Sequence, residues 1–151
     1  MEKSALHVIV LNKTILYRFY VEQQLEAGLV LEGWEVKSIR AGHIQLRDSY
    51  ITLKNAEAWL IESHCSPLSN TTLRVKFDPK RPRKLLLKKY EIRRLFNTVQ
   101  KKQFTIVPLD FHWYKNRIKT TIALVRGKKM YDKRETIKRR EWERKRHNVF
   151  V

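Results

Sequence analysis

Apolar and polar positions along this chain change period several times, and each change marks an element. "YRFYVEQQLEAGLVL", residues 17–31, has the aromatic and aliphatic content of a strand, and Gly28 inside it predicts a bulge. In "EGWEVKSIRAG" the apolar positions Val36, Ile39 and Ile44 cannot alternate. Val36 and Ile39 share a helical face and Gly42 is a natural stop, so a short helix is predicted over about residues 34–40. "SYITLKNAEAWLIESH" is the clearest hairpin. Tyr50, Thr52 and Lys54 alternate against Ile51 and Leu53, and Trp59 and Ile61 against Leu60, around a turn at Lys54-Asn55-Ala56-Glu57. That turn lacks the Gly a type I′ turn prefers, although Asn55 tolerates the left-handed region.

"SPLSNTTLRVKFDPKRPR" follows as a loop punctuated by Pro67, Pro79 and Pro82. Residues 83–102 predict a helix: Leu85, Leu86, Ile92, Leu95, Phe96 and Val99 recur at helical spacings, and Lys88, Lys89, Arg93 and Arg94 cover the other side. Two strands come next, residues 104–114 and 117–125, joined at Lys115-Asn116, with Pro108 marking an edge or a bulge. Beyond Gly127 no apolar period continues. The order β, short α, β, β, α, β, β predicts a mainly β domain over residues 1–127. Its expected form is a small closed or nearly closed antiparallel barrel of the oligonucleotide-binding type, with flanking helices and a basic tail at 128–151. Such a fold does not by itself establish a function.

Composition sharpens this. With 151 residues and a hydrophobic fraction of 42%, the chain can fill one core and carry an appendage. The run from Ala5 to Leu16 is too short and too polar to span a bilayer, and the lone Cys65 points to a reducing compartment, so a cytoplasmic protein is expected. Charge is the larger signal. Residues 1–78 hold 9 of the 33 Lys and Arg and 9 of the 15 Asp and Glu, a net of zero. The other 24 basic and 6 acidic residues give 79–151 the entire net charge of +18. Such asymmetry concentrates polyanions. Nucleic acid fits better than an anionic membrane, because the basic segments lack a strong apolar face.

Candidate chemistry is sparse. His7, His43, His64, His112 and His147 are scattered singly, with no metal-ligand spacing, so neither a metal nor another cofactor is expected. His112 with Lys119, or His64 with Glu62, could be assembled into a ribonuclease site, but any basic protein offers comparable pairs. Phe111, Trp113 and Tyr114 lie beside Lys115, Arg117 and Lys119, a pattern that suits base stacking plus phosphate contact. Phe111 is expected in the core, and the three cations are expected to alternate onto one face as a stripe. Lys80, Arg81, Arg83 and Lys84 crowd the predicted entrance of the second helix, where the macrodipole disfavours cations and an anion is expected nearby. In the tail, Asp132 can cap a helix with Glu135, and Glu135–Arg139 and Glu141–Lys145 are favourable pairs. Ile137 and Trp142 share no stripe there, so the segment is predicted to be disordered alone and helical on a polyanion.

Three blocks appear in order: "LEAGLVLEGWEVKSIRAG" followed by "LRDSYI", then "DPKRPRKLLL", then "GKKMYDKRETIKRRE". With them the chain resembles the small protein B family of tmRNA-binding proteins, over about residues 9–142. The resemblance implies a non-catalytic, monomeric protein with no cofactor and no membrane partner. Such a protein binds the tRNA-like domain of tmRNA and escorts it to the empty A site of a stalled ribosome. It also implies that the tail turns helical in the vacant mRNA channel, against small-subunit rRNA near the decoding centre. Motif positions carry the family's RNA contacts onto Asn12, Glu26, Leu86 and Lys119, to which Lys84, Lys115 and Arg117 are added as neighbouring cations. The ribosome-engaging set falls on Lys128, Lys129, Asp132, Lys133, Arg134, Ile137, Lys138, Arg139 and Arg140. The chain departs from the family pattern at Tyr17-Arg18, in the turn after the second helix, at Asn116-Arg117, and in its short end "NVFV".

Overall fold

A computed structural model of the chain describes residues 7–68, 77–101, 104–127 and 137–142. Its first strand, β1 (His7–Leu11), leads through a one-turn helix, α1 (Ile15–Arg18), into the long β2 (Phe19–Leu29). Helix α2 (Gly33–Arg40) follows, then β3 (Ile44–Gln45), the hairpin β4 (Tyr50–Lys54) and β5 (Glu57–Ile61), and β6 (His64–Cys65). The second half holds β7 (Arg83–Leu86), α3 (Lys89–Val99), β8 (Phe104–Tyr114) and β9 (Arg117–Gly127). Neighbouring strands run in the order β1-β8-β4-β5-β7-β2-β9, all antiparallel, and β8 also pairs with β9. That last pairing returns the sheet upon itself. The seam between β4 and β8 rests on the single pair Ile51 and Ile106, so the sheet is nearly closed rather than a complete barrel. Strands β3 and β6 form a separate two-stranded ladder.

The core follows from alternation. Ala58 and Leu60 of β5, Leu85 of β7, Ala27 of β2, Ile106 and Phe111 of β8, and Ile118, Ile122 and Leu124 of β9 face inward together. Ile39 of α2 and Leu95 of α3 join them from the helices. Phe111 is thus in the core, as its place in the strand implied, and its burial supplies about 2 kcal/mol or more of transfer free energy.

Four expectations need correction. The helix foreseen over residues 83–102 begins only at Lys89, because residues 83–86 form β7. Arg83 and Leu85 point inward there while Lys84 and Leu86 point outward, so the period is two. A pattern search counts Arg as polar and reads the Leu run that follows as a helix face. Phe96 also leaves the core and is exposed, whereas Ile92 and Leu95 are buried. No bulge lies at Gly28: β2 keeps register there, and its irregularity falls between Val21 and Gln23. Strand β1 and helix α1 occupy residues that patterning left as a mere apolar run.

Other expectations hold. Pro108 sits beside a bulge in β8. Asn55 and Ala56 both have positive φ, at 54° and 59°, which is type I′ geometry without a Gly. Among the described residues no helix is long and apolar enough to cross a membrane.

Candidate nucleic-acid interface

One rung of the sheet gathers most of the candidate residues. Leu86 of β7 pairs with Gly28 of β2, Gly28 with Lys119 of β9, and Lys119 with His112 of β8. Residues directly opposite in antiparallel strands share a face. Phe111 and Thr120 fill the inward face, so this rung lies outward. Glu26, two residues before Gly28, faces the same way. Lys119 Nζ lies 3.3 Å from Glu26 Oε1 and 4.6 Å from the centre of the Tyr114 ring. Leu86 is 56% exposed, although it is an apolar residue in the middle of the sheet. Gly28 lets it lie close, since a Cβ at that position would come within 3.3 Å of Leu86 Cβ and Cδ1.

Beside the rung runs an open groove of about 460 Å³, lined in part by Gly28, Leu86, Trp113, Asn116, Arg117 and Lys119. An apolar wall, an indole and two cations suit a ribose–phosphate backbone with an unpaired base. Glu26 supplies an acceptor that can meet a ribose hydroxyl. Burial pushes the Glu26 carboxyl up, but hydrogen bonds from His112 and Lys119, with their charges, outweigh this and hold it below its ordinary value. The carboxylate is therefore ionised and spoken for on both oxygens.

The cationic stripe needs revision. Arg117 and Lys119 alternate on the outer face of β9, but Lys115 sits in the hairpin turn with φ of 45°. It rejoins them by another route, because its ammonium also lies over Tyr114, at 5.5 Å. Lys84 faces outward two residues before Leu86 and pairs with Glu57 at 3.5 Å. Asn12 does not line the groove. Its amide donates to the carbonyls of Pro108 and Leu46, at 3.0 and 3.2 Å, so it ties β1 to the β8 bulge. Of the tail residues, Lys128, Lys129, Asp132, Lys133 and Arg134 lie outside the described residues. Ile137, Lys138, Arg139 and Arg140 belong to a helical stretch at 137–142 and are exposed.

Other sequence readings dissolve. The anion awaited by Lys80, Arg81, Arg83 and Lys84 is internal: Glu62 faces Lys80, Glu32 and Glu35 face Arg81, Glu35 faces Arg83, and Glu57 faces Lys84. His112 and Lys119 do lie together, but the imidazole is wholly buried between carboxylates and is out of reach of an RNA hydroxyl. His64 turns to Ser66 rather than to Glu62. Asp110 and Gly28 join the site without being among the sequence candidates, unlike Tyr114, one of the aromatics set beside the cations. Alternation along β8 and β9 would have put Asp110 and Tyr114 on the face of His112 and Lys119, but nothing local reveals that Gly28 sits between Leu86 and Lys119.

The sheet, its cationic outer rung and the charge imbalance define an RNA-binding protein of the oligonucleotide-binding-like class. Comparison narrows the class. The profile of the SmpB protein family matches residues 9–150, and the chain belongs to that family. The SsrA-binding protein of Coxiella burnetii is 63% identical over 149 residues, covering 99% of this chain and 94% of its own. That of Burkholderia vietnamiensis is 48% identical over 142 residues, covering 94% and 96%. A solved chain from tmRNA-SmpB in the bacterial ribosome is 34% identical, with a TM-score of 0.67 over 80% of this chain and 85% of that one.

Proposed function

We propose that this chain is a non-catalytic cytoplasmic protein that binds the tRNA-like domain of tmRNA and carries it to the A site of stalled ribosomes, where the nascent peptide is tagged. The observation that carries this reading is the outer rung of Leu86, Gly28 and Lys119 with Glu26 beside it, in a chain 63% identical to an SsrA-binding protein. A purely electrostatic binder needs neither an exposed Leu nor an ionised Glu among its cations. Their presence supports recognition of one RNA shape through ribose and base contacts. The basic tail supports engagement of rRNA once the complex is on the ribosome.

Binding to tmRNA and to total tRNA over a salt series tests this. Selective tmRNA binding is expected. Lys119→Ala is expected to weaken it several-fold and to lower the slope of log affinity against log salt by about one. Unchanged affinity and slope would remove the rung from the interface. Equal affinity for all RNAs would make the chain a generic RNA chaperone, and histidine-dependent cleavage of RNA would make it a nuclease.

A further inference from the structure

His112 is a buried polar ring on the outer face of a strand. The residue before it, Phe111, fills the core, so the imidazole points away from the core and yet has no exposed surface. It is covered by polar neighbours. Nδ1 lies 2.8 Å from Asp110 Oδ1, and Nε2 lies 3.0 Å from Glu26 Oε2. Glu26 turns its other oxygen to Lys119, whose chain lies over Tyr114. From β1, the residue paired with His112 is the uncharged Val8. Four side chains thus form one file across β8, β2 and β9: Asp110, His112, Glu26, Lys119.

We propose that His112 is a positioning residue for RNA recognition, holding Glu26, and through it Lys119, in the orientation that meets tmRNA. The inference rests on the interface reading given above. The inner end of the file is anchored to backbone. Asp110 Oδ1 accepts from the Thr121 N–H at 3.4 Å, and the Asp110 carbonyl accepts from Thr120 Oγ at 2.8 Å, next to the Pro108 bulge. The outer end is free to move without it. Glu26 and Lys119 are long side chains, with side-chain exposures of 39% and 29%, and a salt bridge between two such groups fixes neither of them alone. A carboxylate bridging a buried donor and a half-exposed cation transmits the rigidity of the sheet to that cation, so less conformational entropy is lost when RNA binds.

The alternative is a histidine that is merely well packed, and the two roles separate on the two ring nitrogens. A Gln at position 112 can place its amide donor near Nε2 and keep Glu26 tethered. An Asn is shorter and reaches only the Nδ1 side, towards Asp110. The experiment measures tmRNA affinity and thermal unfolding for full-length His112→Gln, His112→Asn and His112→Phe, alone and combined with Lys119→Ala. His112→Asn and His112→Phe are expected to bind tmRNA roughly tenfold more weakly than the parent, with His112→Gln several-fold tighter than His112→Asn. On the Lys119→Ala background the same substitutions are expected to change affinity less than about twofold, since the group they position is gone. A packing role predicts instead that affinity follows unfolding temperature and that the loss persists undiminished without Lys119. Either that pattern, or wild-type affinity in His112→Asn and His112→Phe while Lys119→Ala binds weakly, overturns the inference. If Lys119→Ala itself binds like the parent, the interface reading falls and the positioning role falls with it.

Discussion

Glu35 is the residue on which the scaffold of the site most depends. It is wholly buried in α2 and accepts from the guanidinium groups of Arg81 and Arg83, and from the backbone N–H of Glu32 at the start of its own helix. Arg83 is itself buried and spends its remaining donors on Ser63 and the Pro79 carbonyl. A charge this deep is tolerated only with its partners in place. Burial pushes the Glu35 carboxyl up, but the Arg81 hydrogen bond, the Glu32 N–H and the Arg83 charge pull harder, and the net is below the ordinary 4.5. A carboxylate with a depressed folded value adds stability that is complete above 4.5 and fades as pH falls through that lowered value. Glu35→Gln is therefore expected to cost about 3 kcal/mol at pH 7 in urea unfolding, because it leaves Arg83 buried without its counter-charge. The gap to the parent is expected to narrow below pH 4.5; a gap constant with pH would show that charge is not what Glu35 contributes. None of this was legible locally. The basic cluster was, but its acid lies 46 and 48 residues away in sequence, and only the fold joins them.

At the scale of elements, the strands with clean alternation were readable and the ones with charged inward positions were not. The β4–β5 hairpin and the β8–β9 hairpin stand where the pattern put them, because Ile51, Leu60, Phe111 and Ile122 face one way. Strand β7 was hidden because one of its two inward side chains is Arg83. That error also put Leu86 on a helix, where it would have been core, and so concealed the exposed Leu beside Lys119. Of the site, the resemblance supplied Glu26, Leu86 and Lys119, charge pointed to Lys119 independently, and neither supplied the His112 and Asp110 that stand behind them. The hairpins carry a testable cost of their own. Ala56 sits at φ of 59° in the β4–β5 turn, a conformation that a Cβ disfavours by about 1 kcal/mol or more. Ala56→Gly would restore the Asn-Gly pair such turns prefer and is expected to stabilise the domain by about 0.5 kcal/mol, after the extra freedom Gly gives the unfolded chain. A lower unfolding temperature would mean that the Ala methyl makes a compensating contact.

At the scale of the whole molecule, charge separates the two tasks proposed for it. Residues 1–78 are neutral, and residues 79–130 carry 16 Lys and Arg against 2 acids, a net of +14. Residues 131–151 add 8 basic and 4 acidic residues, a net of only +4. Truncation after Met130 thus leaves +14 of the +18, including every member of the outer rung. Affinity for tmRNA, and the salt slope that reports phosphate contacts, should stay close to those of the full chain. Tagging on stalled ribosomes should disappear, because the segment proposed to engage rRNA is gone. The exposed Ile137 of the helical stretch at 137–142 adds to this, since a side chain that is not buried in the domain remains available to a partner. Parallel assays on the truncated protein, filter binding with tmRNA and peptide tagging in a reconstituted translation system, decide the matter. Normal tagging would refute a role for the tail. A large loss of tmRNA affinity would refute the division itself, and would mean that the tail's modest charge lies against the same RNA as Lys119.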